Sequence, residues 1–360
     1  SSSTGIATVT GSGSQWNNSG GLYVARSGSG TLNIEAGGVV ANTDGYIGTY
    51  SSSTGIATVT GSGSQWNNSS SLYVGYSSSG TLNIEAGGVV ANTGGYIGRY
   101  SGSTGIATVT GSGSQWNNSS SLYIGGGSSG SGGSGTLNLT DSSLATVSDT
   151  VKLWSTGIIN LNGGSLTTGS FDNSEVGTFN FHSGTLTVNG AGGSFNPGST
   201  DFSIDGLAVT DLPELVIANT ASTALSGGLW VGDNNQGALT IQSGGVVSNT
   251  YGYIGNASVS TGVATVTGSG SQWTNSEELL VGNFGSGTLN VEAGGVVANT
   301  DGYIGKSSSS TGVATVTGSG SQWNNSSNLV VGNVGSGTLN VEAGGVVANT
   351  TGYIGDDSGS

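Results

Sequence analysis

The chain has 360 residues, including 72 Gly, only 2 Pro, and neither Cys nor Met. With 4 Lys or Arg against 19 Asp or Glu, its formal net charge is −15, which disfavours nucleic acid and anionic membranes as partners because both are bound through clustered cations. Neutral or cationic partners stay open. Disorder is excluded because 33% of the residues are apolar and recur at regular places, which a solvated coil has no reason to maintain.

A fifty-residue repeat unit occurs in nearly identical form at residues 1–50 and 51–100, and again at residues 258–307 and 308–357. Repeats of this length are typical of solenoids, in which each unit buries its apolar face only against its neighbours. The two halves of a unit resemble each other, and the corresponding Gly residues of successive halves, at 75, 98 and 125, are 23 and 27 residues apart. We therefore predict an all-β fold, a parallel β-helix (β-solenoid) of about 14 coils in which coils of about 23 and 27 residues alternate.

The same period predicts one solenoid over residues 1–360. Regular repeats occupy 1–125 and 229–360, a Gly/Ser insertion occupies 126–135, and variant coils fill 136–228. The chain begins in mid-pattern at Ser1 without an initiator Met, so we expect a mature form or an excised piece. Because no capping coil is recognisable at either end, head-to-tail stacking of chains into filaments is an alternative expectation.

Alternation along each strand assigns side chains to the inside or the outside of a coil. We expect three short strands in each coil. The predicted inward residues are Ala57, Val59, Leu82 and Ile84 on the first strand, Trp66 and Val90 on the second, and Leu72, Val74 and Ile97 on the third. We expect Trp66, Trp116 and Trp323 to be buried. The recurring pair Asn67-Asn68 is expected to form a structural ladder at a corner, since Asn side chains favour turns and can bond along the axis.

One column of the third strand is predicted to point outward, and we call it the tyrosine column. Its members are Tyr23, Tyr46, Tyr73, Tyr96, Tyr123, Trp230, Tyr253, Leu280, Tyr303, Val330 and Tyr353. A contiguous aromatic surface can mark an interaction site for a polysaccharide or for a second chain. Two other interpretations stay open: the rings form a ladder that only stiffens the fold, or the parity is wrong and the column is buried.

Acidic residues offer the main candidates for chemistry. Asp201, Asp205, Asp211 and Glu214 could supply paired carboxylates, and the single His182 follows Phe181 on a predicted strand. No Arg or Lys lies near them in sequence, so we interpret them as solvated loop residues and predict no catalytic, cofactor or metal site. Calcium at Asp44-Gly45, Asp233 to Gly237 or Asp356-Asp357 is a minor alternative, because turn chemistry explains Asp and Asn before Gly equally well.

The regular units resemble a repeat shared by type V secretion (autotransporter) passengers and PEP-CTERM-sorted surface proteins. The resemblance lies in residues 57–66 (ATVTGSGSQW), 72–75 (LYVG) and 80–84 (GTLNI) and covers roughly two thirds of the chain. It implies a right-handed β-helix, the hand also expected of parallel crossovers, in an exported bacterial surface or matrix protein that is often an adhesin.

We therefore predict a non-catalytic extracellular structural or adhesive rod. It would contact itself, laterally or head to tail, or a surface polysaccharide, with no membrane insertion in this segment. The alternative is a β-helix that binds or degrades polysaccharide, which a pair of carboxylates converging in a groove would favour.

Overall fold

A computed structural model describes residues 3–356, and in that range every regular element is a β-strand. The strands pair in parallel with the strand one coil further along the chain, as in Thr4 with Ser29 and Ser29 with Thr54. This pairing confirms the predicted all-β parallel solenoid, with about 14 coils in all. Third-strand partners are alternately 23 and 27 residues apart, as in Tyr23, Tyr46 and Tyr73. The right-handed winding stays a prediction.

The chain divides into two compact units, Ser1–Asn180 and Phe181–Ser360, called unit 1 and unit 2 below. The strands of unit 1 are β1 (Thr4–Thr10), β2 (Gln15–Asn17), β3 (Leu22–Val24), β4 (Ser29–Glu35), β5 (Val39–Asn42), β6 (Gly45–Ile47), β7 (Thr54–Thr60), β8 (Gln65–Asn68), β9 (Leu72–Val74), β10 (Ser79–Glu85), β11 (Val89–Asn92), β12 (Gly95–Ile97), β13 (Thr104–Thr110), β14 (Gln115–Asn118), β15 (Leu122–Ile124), β16 (Gly126–Gly127), β17 (Gly130–Ser131), β18 (Ser134–Thr140), β19 (Leu144–Leu153) and β20 (Gly157–Asp172).

The next strand, β21 (Thr178–Val188), crosses the division between the units. The other strands of unit 2 are β22 (Phe195–Asn196), β23 (Phe202–Ile204), β24 (Pro213–Ile217), β25 (Ser222–Ala224), β26 (Gly228–Val231), β27 (Gln236–Gln242), β28 (Val246–Asn249), β29 (Tyr251–Ile254), β30 (Thr261–Thr267), β31 (Gln272–Asn275), β32 (Leu279–Val281), β33 (Ser286–Glu292), β34 (Val296–Asn299), β35 (Gly302–Ile304), β36 (Thr311–Thr317), β37 (Gln322–Asn325), β38 (Asn328–Val331), β39 (Ser336–Glu342), β40 (Val346–Ala348) and β41 (Thr351–Ile354).

Each regular coil has a seven-residue first strand followed by two short strands, and all three send alternate side chains inward. The predicted inward residues are fully buried: Ala57, Val59, Trp66, Leu72, Val74, Leu82, Ile84, Val90 and Ile97. Trp116 and Trp323 are also fully buried, as predicted, and so is Trp273. Burying these side chains is the main favourable term in such a fold, because no coil encloses a core alone.

Each buried tryptophan is tied to two buried asparagines, a contact that we call the Trp–Asn–Asn unit. The Trp66 Nε1–H donates to Asn42 Oδ1 at 2.7 Å, and Asn42 Nδ2 donates to Asn68 Oδ1 at 2.7 Å. The same unit recurs at Trp116 with Asn92 and Asn118, at Trp273 with Asn249 and Asn275, and at Trp323 with Asn299 and Asn325. Burying a polar group in a dry interior costs free energy unless the group is hydrogen-bonded. Each Trp–Asn–Asn unit therefore links one long coil specifically to the neighbouring short coil.

The asparagine ladder is therefore real but differs from the prediction. Asn68 points inward and is 5% exposed, whereas Asn67 faces out and donates only to Gln65 Oε1 at 3.2 Å. The inward partner of Asn68 is Asn42, in the neighbouring short coil, rather than another copy of the Asn-Asn pair. The ladder consists of separate Asn–Asn pairs. On the side of the following coil, Asn68 Nδ2 donates to the carbonyl of Ala91 and not to Asn92.

Glycines at the corners serve two different purposes. Gly61, Gly63 and Gly87 have φ of 91°, 82° and 86°, in the left-handed region that glycine adopts without strain. Gly88 has no positive φ; a Cβ there would collide with the carbonyl of Val59, so its role is close approach between coils. Gly87 therefore supplies conformational freedom, and Gly88 allows two coils to pack closely.

The Gly/Ser insertion folds into a small antiparallel hairpin made of β16 and β17. Trp154 Nε1 donates to the carbonyl of Gly127 at 3.0 Å, which pins the hairpin. A Cβ on Gly127 would overlap the Nη1 atom of Arg99, so the hairpin backbone lies directly on that guanidinium.

No helix among residues 3–356 is long and apolar enough to cross a membrane.

Candidate functional site

The tyrosine column of unit 1 lies on the third strands of successive coils. β3, β6, β9, β12 and β15 pair in register, which aligns Tyr23, Tyr46, Tyr73, Tyr96 and Tyr123. Their chain neighbours point into the core and are buried, while the tyrosines are exposed or half-buried on the outer surface. These five residues are called the tyrosine stack.

The rings of the tyrosine stack lie face to face along the coil axis of unit 1. Successive centroids are 4.7, 4.9, 4.7 and 5.1 Å apart, with interplanar angles of 4°, 9°, 15° and 15°. Each inner ring therefore has both faces covered by its neighbours. The solvent meets ring edges and phenol hydroxyls, so flat stacking of a sugar or a base on these rings is blocked inside the stack.

A second group of tyrosines lies beside the stack. Tyr76 packs edge-on against Tyr46 and Tyr73, with centroids at 5.3 and 5.1 Å, and edge-on against Tyr100 at 5.0 Å. Tyr100 is 45% exposed and Tyr50 is 50% exposed. The aromatic surface of unit 1 is therefore wider than the single column that alternation predicts.

Both arginines of the chain lie on this aromatic surface. The Cζ atom of Arg26 lies 5.9 Å from the centroid of the Tyr23 ring and 5.3 Å from that of the Tyr50 ring. Its Nη2 atom donates to Tyr50 Oη at 3.4 Å. Arg99 sits 4.6 Å from the Tyr96 ring and 5.2 Å from the Tyr100 ring. Cation–π contacts of this kind hold a guanidinium in place without neutralising it.

We call the whole surface the tyrosine–arginine face. It contains Tyr23, Tyr46, Tyr50, Tyr73, Tyr76, Tyr96, Tyr100, Tyr123, Arg26 and Arg99, which are eight of the 12 tyrosines and both arginines. Sequence reasoning missed the arginines. The available signal was position: Arg26, Tyr76 and Arg99 each stand three residues after a column tyrosine.

Two hydroxyls of this face resist ionisation. Burial, followed by the nearby Asp44 carboxylate, raises the pKa of Tyr46 to about 12. A hydrogen bond to Tyr100, followed by burial, raises the pKa of Tyr76 to about 12. Both phenols therefore stay protonated to a higher pH than an ordinary tyrosine does.

The column does not stop at Tyr123. Lys152 pairs with Tyr123 in register, and its Nζ contacts Asp172 Oδ2 at 2.9 Å and lies 4.8 Å from the Trp154 ring. Burial opposes ionisation of Asp172, but hydrogen bonds from Lys152 and Ser174 lower its pKa below the usual value. Sequence reasoning missed Lys152, although Val151-Lys152-Leu153 repeats the apolar–polar–apolar pattern of Leu72-Tyr73-Val74.

Unit 2 carries the same column without a continuous stack. Trp230 and Tyr253 stack at 5.4 Å and 3°, but Leu280 is 1% and Val330 is 5% exposed. These two were expected outside; instead, their short side chains lie between larger neighbours in register and are covered. Leu280 therefore separates Tyr253 from Tyr303, and Val330 separates Tyr303 from Tyr353, so the aromatic face of unit 2 is broken.

The acidic candidates each have a separate structural partner. The acceptor oxygens are Asp201 Oδ1 for the N–H of Gly228 at 2.7 Å, Asp205 Oδ1 for the N–H groups of Asp233, Asn234 and Asn235 at 3.0, 3.0 and 2.8 Å, Asp211 Oδ2 for the N–H of Ala208 at 3.1 Å, and Glu214 Oε1 for the hydroxyl of Thr240 at 2.9 Å. His182 lies half-buried on β21. Asp201, Asp205 and Asp211 lie in loops, as predicted. Glu214 does not, because it is half-buried on β24 and bonds to the neighbouring strand.

The calcium candidates are occupied by hydrogen bonds in the same way. Asp44 Oδ1 accepts from the N–H of Ser71 at 3.1 Å, and Asp233 Oδ1 accepts from Asn256 Nδ2 at 2.7 Å. Asp357 of the third candidate lies outside the described residues. No group of three or more His, Cys, Asp or Glu side chains suited to a metal occurs among residues 3–356.

Comparison with known proteins adds little. No protein-family model and no curated protein matches the chain. A crystal structure of a TibC-catalysed, hyper-glycosylated TibA fragment is similar over 97% of this chain and 100% of that one, with 18% identity and a TM-score of 0.26. We infer nothing about function from a likeness at that score.

Proposed function

We propose that this chain is a non-catalytic segment of a bacterial cell-surface or matrix protein that makes many weak contacts along its tyrosine–arginine face. The observation that carries the proposal is the unbroken tyrosine stack on outward third strands of unit 1. Identical contacts repeated on a rigid scaffold add up to an avidity that no single contact has. The partner is a surface polysaccharide or another copy of the chain.

The cell-surface setting is proposed from the autotransporter and PEP-CTERM resemblance of the regular repeats. The lack of Cys is compatible with an exterior where stacked coils, rather than disulfides, provide stability. Head-to-tail assembly into filaments belongs to the same proposal. Electron microscopy of the purified chain at high concentration tests it, and a chain that stays monomeric would exclude it.

The adhesive role is tested by replacing Tyr46, Tyr73 and Tyr96 with Ser. We expect weaker polysaccharide binding or weaker bundling, measured by co-sedimentation and light scattering, while the far-ultraviolet circular dichroism stays β-rich. The matched control makes the same three changes at Tyr253, Tyr303 and Tyr353, where no continuous stack exists, and should have a smaller effect. If binding and bundling are unchanged in the first variant, the stack is scaffold only.

A further inference from the structure

The cations of the chain are distributed very unevenly. Unit 1 carries 3 Lys or Arg against 7 Asp or Glu, a formal charge of −4, whereas unit 2 carries 1 against 12, a formal charge of −11. All four cations stack on aromatic rings of third-strand surfaces: Arg26, Arg99, Lys152 and Lys306. A strongly acidic chain has thus placed what positive charge it has beside its outward aromatic residues.

Only the arginines keep their charge free of a carboxylate. Lys152 pairs with Asp172 at 2.9 Å and Lys306 pairs with Glu278 at 3.2 Å. These are the ion pairs found within residues 3–356, and neither Arg26 nor Arg99 takes part in one. Neither guanidinium of the tyrosine–arginine face is therefore neutralised by a carboxylate. Arg26 is exposed, whereas Arg99 is half-buried with its Nε atom enclosed, so an external anion meets Arg99 through its Nη atoms.

The surroundings hold these guanidiniums in position before any ligand arrives. Arg99 lies between the Tyr96 and Tyr100 rings and under the hairpin backbone at Gly127. Arg26 lies over two rings and donates to the Tyr50 hydroxyl. A donor fixed in advance loses less entropy on binding than a free side chain, so it binds more tightly.

The covered ring faces narrow the class of ligand. A neutral glycan or a single-stranded nucleic acid binds aromatic residues by stacking on open faces, which the tyrosine stack has closed. What remains is an evenly spaced line of hydroxyl edges, with a guanidinium in the first and the fourth coil of the stack. That pattern fits an extended polymer that carries both hydroxyl groups and repeated anionic groups.

We propose that the tyrosine–arginine face of unit 1 binds an acidic polysaccharide laid along the coils, with its carboxylate or sulfate groups at Arg26 and Arg99. This inference rests on the proposed adhesive role and names its ligand. The acidic residues Glu35 and Glu85 lie on first strands rather than on this face, and Asp44 is the carboxylate beside Tyr46. Attraction at the two guanidiniums is therefore local and must weaken steeply with added salt.

The test measures binding of the full chain to three polymers: polygalacturonate, dextran sulfate and neutral dextran. We expect both acidic polymers to bind and dextran not to bind. The double variant Arg26→Gln with Arg99→Gln should bind the acidic polymers roughly tenfold or more weakly. The matched control Lys306→Gln removes one positive charge and one cation–π contact in unit 2, and it should leave affinity within about twofold.

A second double variant separates the effect of positive charge from the effect of the guanidinium fork. Arg26→Lys with Arg99→Lys keeps the charge but loses the fork, so an intermediate affinity is expected if oxyanions are held bidentately. Circular dichroism and the melting temperature show that each variant is folded.

Two results would overturn the inference: dextran binding as tight as that of the acidic polymers, or unchanged acidic-polymer binding in the Gln variant. If the copies bundle instead, and the Tyr→Ser variant abolishes bundling, the occupant is a second copy; the inference then fails while the proposed adhesive role stands. If neither binding nor bundling responds to the Tyr→Ser variant, the adhesive role itself fails.

Discussion

The Trp–Asn–Asn unit predicts a large loss of stability from one small polar change, Asn42→Ala. An indole N–H can only donate, so Asn42 must turn its Oδ1 to Trp66 and its Nδ2 to Asn68. Removing that side chain leaves two buried groups without partners, the Trp66 N–H and the Asn68 carbonyl oxygen. Each such group costs about 1–3 kcal/mol, so we expect Asn42→Ala to lower the free energy of unfolding by about 2–6 kcal/mol.

The neighbouring outward asparagine provides the control. Asn67 bonds only to Gln65 on the surface, so Asn67→Ala should change stability by no more than about 0.5 kcal/mol. Trp66→Ala should cost about 3–5 kcal/mol, the range for deleting a large core aromatic residue. The double variant Asn42→Ala with Trp66→Phe should cost less than the sum of its parts by about 0.5–3 kcal/mol, because each single change strands the other's polar group.

The measurement combines guanidinium unfolding, followed by far-ultraviolet circular dichroism, with amide hydrogen exchange. Exchange is needed because stacked coils can open locally, and a local loss in one coil need not shift the whole transition. The expected result is faster exchange in the coils around Asn42 and Trp66 than in the Asn67→Ala protein. An Asn42→Ala protein as stable as Asn67→Ala would refute the claim that the buried pair specifies the coil contact.

Four further predictions follow from the same geometry. Gly45→Ala should lower the free energy of unfolding by about 1–3 kcal/mol, because a Cβ there would lie 2.8 Å from a Leu72 methyl carbon and 3.0 Å from the Trp66 ring. Gly20→Ala is the control: the space around Gly20 is open, so this change should be neutral in the same guanidinium unfolding measurement. A phenolate absorbance titration should show Tyr46 and Tyr76 ionising near pH 12, and stability should fall as pH rises from about 10 to 12, because the folded pKa lies above the unfolded one; ionisation of every tyrosine near pH 10 would contradict it. Tyr73→Val, by analogy with Val330 in unit 2, should leave a folded chain that loses only about 0.5–1.5 kcal/mol per stacked neighbour, as read from chemical unfolding. A chelator should leave the melting temperature unchanged; a drop that calcium reverses would reveal a metal site.

Much of the fold could be predicted because its determinants are local and periodic. The alternation of Ala57 and Val59, or of Leu72 and Val74, appears in the sequence, and the period places one coil on the next. The buried positions on all three strands follow from those two patterns. The burial of Trp66, Trp116 and Trp323 follows as well, because alternation places each of them on the inward side of its strand.

Contacts between coils could not be predicted in the same way. Trp66 and Asn42 are 24 residues apart and meet only because β5 and β8 pair with Val40 opposite Trp66. One residue of slip would turn Asn42 outward. Without that register, the sequence VVAN indicates only that Asn42 is an ordinary turn residue. The repeated Asn67-Asn68 pair then predicts the asparagine ladder instead.

The tyrosine–arginine face was predicted only in part, for a related reason. Alternation identifies Tyr73 as outward but says nothing about ring orientation, which depends on stacking with Tyr46 and Tyr96 in neighbouring coils. Orientation matters because it replaces open ring faces with hydroxyl edges. The cation–π contact of Arg26 with Tyr50 likewise joins side chains from different coils.

The two units together argue that the tyrosine stack is not simply what the fold requires. Unit 2 builds coils with the same strand pairing while placing Leu280 and Val330 at column positions, where they become buried. A coil therefore closes with an aliphatic residue at the position where unit 1 uses tyrosine. Since folding accepts either choice, the unbroken stack and its two arginines, which have no carboxylate partner among residues 3–356, need another explanation. The binding of an extended acidic partner supplies one that the arginine variants can refute.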